Sequence, residues 1–188
     1  MLKFPVLLGL TLAALSAQDK TIDVQRSTIT IHVGKAGLFS AAGHEHWVSA
    51  PIFSGRFSDS SAPRVEFKVA TARMTVKPDP KVGEKTRLQV QKDMEELTLE
   101  PVKYPEIGFE SSHVEKLADG QWKVDGTLSL HGVTRPVSVI VRRSGDAYTG
   151  HVVIKQTDFG IKPVSVAGGT IKVKNEVDID FQIFVRPA

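Results

Sequence analysis

The chain of 188 residues contains no cysteine. It therefore forms no disulfide, and it cannot use a thiolate as a nucleophile, a zinc ligand or an iron–sulfur ligand. A domain of this size buries enough surface to fold without disulfides, so the absence of cysteine is compatible with export from the cell but does not require it.

The chain also lacks an excess of charge of either sign. It carries 24 Lys and Arg residues against 21 Asp and Glu residues, interspersed along its length, and only two tyrosines. Nucleic-acid-binding proteins usually present a basic stripe with interleaved aromatic residues, and this sequence shows neither. We therefore expect no nucleic-acid partner.

Long apolar runs are scarce as well. The clearest one, residues 6–15, follows Lys3 and precedes the small residues Ser16 and Ala17. This layout is typical of a secretory signal peptide, and the run is too short to cross a bilayer. We expect a signal peptide at residues 1–17, a mature domain at residues 19–188, a periplasmic or secreted location, and no transmembrane segment.

Catalytic signatures are missing too. The sequence has no G-x-S-x-G elbow, no phosphate-binding P-loop and no G-x-G-x-x-G after a strand. The paired acids at 95–96 and at Asp178 and Asp180 fit the solvated faces of a helix and of a strand. We therefore expect no enzymatic activity, no catalytic residue and no cofactor.

Alternating apolar residues indicate β-strands, most clearly at 103–137. Asp119-Gly120 and His131-Gly132 supply the glycines that allow the chain to reverse at positive φ. Between these two turns, the apolar residues that share one face of the predicted strand are Trp122, Val124, Leu128 and Leu130. Antiparallel strands with one apolar face must close over something, either packed side chains or a ligand.

The last strand is predicted at 171–185, where odd positions are apolar and even positions are polar, with Asn175 and Phe184 as exceptions. One helix is predicted within 81–99. Asp79 and Pro80 favour a helix start, and Pro101 ends the segment. The fold class is therefore all-β with one short helical insertion, which we interpret as a hypothetical lid or portal.

Three motifs resemble those of the YceI-like family. KYPEIGFES at 103–111 and GTLSLHGVTRPV at 126–137 resemble its core signature, and DFGI at 158–161 resembles its later motif. The resemblance covers roughly residues 21–185. It implies an extended, eight-stranded, antiparallel, lipocalin-like β-barrel that is secreted or periplasmic, and some members bind a polyisoprenoid chain inside the barrel.

A barrel of eight strands either fills with side chains or holds one small ligand, and the residues alone leave both outcomes open. The resemblance favours a cavity. We predict a non-catalytic exported protein that carries or sequesters a polyisoprenoid or other lipid-like molecule. The predicted lining is Phe39, Phe53, Phe57, Phe67, Phe109, Trp122, Leu128, Leu130 and Phe181.

Two alternatives remain at this point. In a strand, His44 and His46 point to the same side, so both imidazoles are placed to bind one metal ion, with His131 as a third candidate ligand. The other alternative is a packed barrel that serves as a stress-protective or interaction module without a small ligand. A homodimer is left open in every case.

Overall fold

The structure is a computed structural model that describes residues 20–36, 44–58, 62–166 and 171–186. Within them, twelve strands form one sheet in which every pair of neighbours is antiparallel. The strands are β1 (Lys20–Thr21), β2 (Thr28–Ala36), β3 (His46–Ser49), β4 (Ile52–Ser58), β5 (Arg64–Ala70), β6 (Thr75–Val76), β7 (Glu106–Ala118), β8 (Gln121–Leu130), β9 (Val133–Ser144), β10 (Ala147–Lys155), β11 (Ser165–Val166) and β12 (Ile171–Phe184).

The all-β class is confirmed, but the predicted number of eight strands is too low. Eight strands have seven residues or more, and the other four have only two to four residues. Strands of two to four residues offer too few positions for apolar alternation to define each of them, so a count from the sequence reflects mainly the long strands.

The sheet curls so that its two halves meet near the start of the described chain. Its order is β1-β4-β5-β7-β8-β9-β10-β12-β2-β3-β6, with β11 on β12. Ile22 follows β1, donates its N–H to the carbonyl of Gly55 in β4, and also forms a bridge with Val185 after β12. The segment at 21–23 thus joins β4 to the end of β12, and the sheet becomes a barrel-like wall.

The two predicted turns are present. The β8–β9 turn contains His131 at φ 52° and Gly132 at φ 76°, and the β7–β8 turn contains Gly120 at φ 68°. In the β8–β9 turn, two successive residues at positive φ give a twist that matches that of the flanking strands, which explains why β8 and β9 stay in register.

Three glycines inside strands each lie beside a phenylalanine residue of a neighbouring strand. The pairs are Gly55 with Phe67, Gly126 with Phe109, and Gly150 with Phe181. At Gly126 the approach is closest to rigid atoms, because a Cβ there would lie 2.5 Å from the carbonyl oxygen of Glu110 and 2.8 Å from the ring of Phe109. The rings of Phe109 and Phe181 therefore occupy space that Gly126 and Gly150 leave free, whereas Gly55 is approached by the Cβ of Phe67.

The helical insertion consists of α1 (Glu84–Asp93) and a following π-helical turn, Met94–Leu99. The predicted range of 81–99 contains both, but the predicted helix start is wrong. Asp79 accepts a hydrogen bond from the N–H of Lys81 at 2.8 Å, so Asp79-Pro80 forms a turn, and α1 begins only after Gly83. Glu100, in the left-handed conformation at φ 44°, follows the last helical residue.

Candidate ligand cavity

A cavity of about 410 Å³ lies inside the curled sheet. Most of the residues that border it are aliphatic or aromatic, and Arg64 is the only one of them with a charged side chain. The other lining residues with a hydroxyl or amide group are Thr98, Tyr148 and Gln156. The interior is therefore suited to an apolar molecule.

The wall is built from alternate residues of adjacent long strands. Successive side chains of a strand point to opposite faces, so the even positions of β8 and β10 and the odd positions of β9 and β12 line up on the inner side. They include Val124, Leu128, Leu130, Val137, Val139, Val141, Val152, Ile154, Val177, Ile179, Phe181 and Ile183. Phe184, an even-position exception in β12, instead lies under the guanidinium of Arg26, 4.0 Å from the ring centre.

Seven of the nine predicted lining residues border the cavity: Phe57, Phe67, Phe109, Trp122, Leu128, Leu130 and Phe181. Phe53 does not border it and is 36% exposed. The register of β4 shifts between Ile52 and Ser54, so Phe53 is out of phase with the inward residues that follow. Phe39 lies outside the described residues. Contact of any of these residues with a ligand stays a prediction.

The prediction concentrated on aromatic residues and missed most of the aliphatic wall. The signal was present, since Val137, Val139 and Val141 recur at every second position of β9, although Ile140 interrupts the polar residues between them. Gln156 was also missed. Nothing in its sequence position distinguishes it from an ordinary polar turn residue, because its burial depends on how the chain after β10 folds back over the barrel.

Part of the cavity wall is supplied by residues 84–99, here called the cover. Met94, Thr98 and Leu99 of its π-helical turn border the cavity. The side-chain amide of Gln91 in α1 connects the cover to the sheet. It accepts a hydrogen bond from the N–H of Val76 at 2.7 Å and donates one to the carbonyl of Met74 at 3.0 Å. A π-helical turn is frequent at functional sites, and here it lies directly over the cavity.

The end of the cover is fastened to the β8–β9 turn by a pair of polar side chains. Nε2 of His131 lies 2.7 Å from Oε2 of Glu100, and the ring of Tyr104 contacts that of His131 at a tilt of 49°, with 4.0 Å between centroids. Glu100 and His131 both have positive φ, which is unfavourable for residues with a Cβ. Two such residues in direct contact mark a locally constrained junction.

Comparison with known proteins finds similarity over most of the chain. A family model for the YceI-like domain matches residues 21–185. The chain belongs to the YceI-like family. A UPF0312 protein of Shewanella oneidensis is 29% identical to it over 174 residues, which cover 85% of this chain and 86% of the relative. A UPF0312 protein of Shewanella baltica is 28% identical over 174 residues, with the same coverage of both chains.

Solved YceI-like structures share the fold at low sequence identity. BcnA of Burkholderia cenocepacia superimposes with a TM-score of 0.65 at 18% identity, covering 88% of this chain and 99% of BcnA. A polyisoprenoid binding domain from Saccharophagus degradans, implicated in plant cell wall breakdown, gives a TM-score of 0.60 at 16% identity, covering 90% of this chain and 98% of that domain. Within the described residues, no helix is long and apolar enough to span a membrane.

The histidines considered for metal binding in this YceI-like chain lie at the start of β3. The ring centroids of His44 and His46 are 6.5 Å apart. Partial burial and the neighbouring His44 hold the pKa of His46 below its usual range, against an opposing effect of Asp79, so the neutral, metal-binding form is favoured.

The described residues offer no third ligand for a metal ion at His44 and His46. Glu45 lies 3.2 Å from Nε2 of His32, and His131 contacts Glu100. Across the described ranges, no group of three or more His, Cys, Asp or Glu side chains is arranged to hold a metal ion. A metal site at His44 and His46 stays an untested alternative.

Proposed function

We propose that this YceI-like protein binds a lipid-like molecule, with a polyisoprenoid as the leading ligand, inside its barrel and does not transform it. The observation that carries the proposal is the apolar cavity of about 410 Å³, a volume within the usual range of small-molecule sites. The resemblance of the fold to a polyisoprenoid binding domain adds support. An open interior also argues against the alternative of a packed barrel without a ligand.

The energetics favour a long ligand. Burial contributes about 0.8 kcal/mol per CH₂ group, so each five-carbon isoprene unit contributes roughly 3–4 kcal/mol. Association costs an estimated 4–15 kcal/mol. About four isoprene units or more are therefore needed for useful affinity. A wall that surrounds the ligand on all sides allows this burial free energy to be obtained.

The residue types that line the cavity support ligand binding without catalysis. None of the described residues that border the cavity is a histidine, aspartate or glutamate, which are the side chains most often used as general bases. We further propose that residues 1–17 direct export and that the carrier operates in the periplasm or outside the cell. A long apolar chain is nearly insoluble there, so a protein that encloses it has a use.

Native mass spectrometry of protein from an exported fraction, followed by organic extraction and lipid analysis, tests the proposal. We expect a bound mass of several hundred daltons that extracts as a prenyl or acyl lipid. A bare polypeptide that also fails to bind isoprenoid quinones and polyprenols on incubation would refute the carrier function. A surplus that matches one metal ion would instead direct attention to His44 and His46.

Ligand entry is proposed to occur beneath the cover, with the contact between Glu100 and His131 holding it closed. The Glu100→Ala variant is expected to release ligand roughly three- to tenfold faster, because a charge-assisted hydrogen bond at a partly exposed site is lost. Stopped-flow transfer of a fluorescent lipid to vesicles measures this rate.

Glu96→Ala provides the matched control. Glu96 is an exposed residue of the same cover, and its carboxylate lies 3.9 Å from Lys92 without reaching the sheet. Its removal is expected to leave the release rate unchanged. Equal release rates for Glu100→Ala and the unmodified protein would show that ligand leaves by another route.

A further inference from the structure

Gln156 is a buried amide in an otherwise apolar part of the cavity. It begins the short 3₁₀ turn that follows β10, and its side chain borders the cavity although only 7% of the residue is exposed. The neighbouring inner cluster consists of Leu130, Ile154, Phe159, Ile161 and Val177. A leucine or methionine would serve equally well as wall at this position, so the amide calls for an explanation.

The hydrogen bonds of Gln156 fix which way its amide points. Nε2 donates to the backbone carbonyl of Lys174 at 2.7 Å. Because a carbonyl oxygen only accepts hydrogen bonds, the NH₂ group must face Lys174, and Oε1 must face away from it. No described residue donates a hydrogen bond to Oε1.

The free oxygen borders open space. Every fully enclosed side-chain nitrogen or oxygen among the described residues has a hydrogen-bond partner. Oε1 has none, so it is not fully enclosed, and the open space beside this buried residue is the cavity. Buried polar groups without a partner are destabilising, which makes an unpaired acceptor inside an apolar cavity a site for a donor brought by something else.

The other polar lining residues are less buried than Gln156. Arg64 is exposed, and Thr98 and Tyr148 are only partly buried. Their partial exposure gives water better access to these residues than to Gln156. Gln156 is the buried polar side chain of the described lining.

We propose that Oε1 of Gln156 accepts a hydrogen bond from a hydroxyl head group, so that the ligand is a long-chain alcohol, isoprenoid or aliphatic, held in one orientation. This inference rests on the proposed function. Ile154, near the end of β10, is close to Gln156 in the chain. Tyr148 precedes Ile154 by six residues in the same strand, which is a distance of about 20 Å at the rise of a strand. The apolar tail then extends toward Tyr148 and Trp122, whose ring centroids are 5.7 Å apart.

A pair of ligands tests this assignment on the unmodified mature protein. The probes are a prenol of about four isoprene units and its methyl ether, which has the same tail but cannot donate a hydrogen bond. Trp122 borders the cavity and is one of only two tryptophans, so fluorescence quenching reports occupancy. We expect the alcohol to bind roughly five- to tenfold more tightly than the ether.

Two variants refine the test. Gln156→Met keeps the size of the side chain but removes its oxygen, and it is expected to bind alcohol and ether equally, with the affinity for the ether unchanged. Thr157→Val is the control, because Thr157 is exposed, belongs to the same turn and hydrogen-bonds to Asn175 without bordering the cavity. It is expected to keep the preference for the alcohol.

The outcomes separate this inference from the proposed function. Equal binding of alcohol and ether by the unmodified protein would overturn the role of Gln156 and leave the carrier function standing. If neither compound binds, the carrier function and this inference fall together. The comparison in the unmodified protein needs no substitution, so it decides the question even if Gln156→Met does not fold.

Discussion

Replacement of Val152 by tryptophan is expected to lower the affinity for lipid ligands at least roughly tenfold. Val152 lies in the middle of β10 and borders the cavity, so an indole at this position takes up space that a ligand would fill. Exclusion of only two CH₂ groups of the ligand costs about 1.6 kcal/mol, which already exceeds a tenfold change in affinity. The open interior allows the larger side chain to be accommodated without unfolding the chain.

Val153→Trp is the matched control for this experiment. Val153 is the next residue of the same strand, points outward and is 49% exposed. The same added volume on the outer face is expected to leave affinity unchanged. Titration with a prenol, together with thermal unfolding of both variants, measures the difference. Equal affinities for the two variants would mean that the ligand binds elsewhere than in the cavity.

Substitution of Gly126 by alanine is expected to lower the free energy of unfolding by about 1–3 kcal/mol, the usual cost of forcing extra atoms into a packed region. The new Cβ would lie 2.5 Å from the backbone oxygen of Glu110, which cannot move without disturbing β7, and 2.8 Å from the ring of Phe109. Because Phe109 borders the cavity, displacement of its ring into that space is expected to reduce lipid binding together with the loss of stability.

Gly108→Ala separates this packing effect from the general effect of replacing a glycine in a strand. Gly108 lies in β7, and no heavy atom lies within 4 Å of a Cβ built there. Its substitution is expected to be neutral or slightly stabilising, because alanine restricts the unfolded chain more than glycine does. Urea unfolding curves of the two variants provide the comparison. A Gly126→Ala variant as stable as Gly108→Ala would contradict the close packing described here.

The long strands were predictable because each carries its own signal. In β8, apolar and polar residues alternate from Trp122 to Leu130, and the turn after it contains the glycine that its conformation requires. In β12 the predicted irregularity at Asn175 coincides with the register shift between Val173 and Val177. Local alternation is enough to define a strand and its inner face.

Other features depend on contacts between distant residues and left no local pattern. Asp79-Pro80 has the composition of a helix start, yet the Asp79 side chain closes a turn instead. Their spacing places Phe53 and Phe57 on one face of a regular strand, but the register shift in β4 turns Phe53 outward. The rings of Phe109 and Phe181 lie against glycines of neighbouring strands, a pairing that sequence spacing alone does not disclose.

The strands at the two ends of the described sheet also bear on how the protein behaves at high concentration. β1 and β6 have two residues each, and the backbone next to β1 is already engaged by the bridge between Ile22 and Val185. Long, flat edge strands act as templates for the addition of further strands, which leads to aggregation. Strands as short as β1 and β6 offer few backbone groups to an added strand, so these two ends of the sheet are poor starting points for strand-by-strand polymerisation.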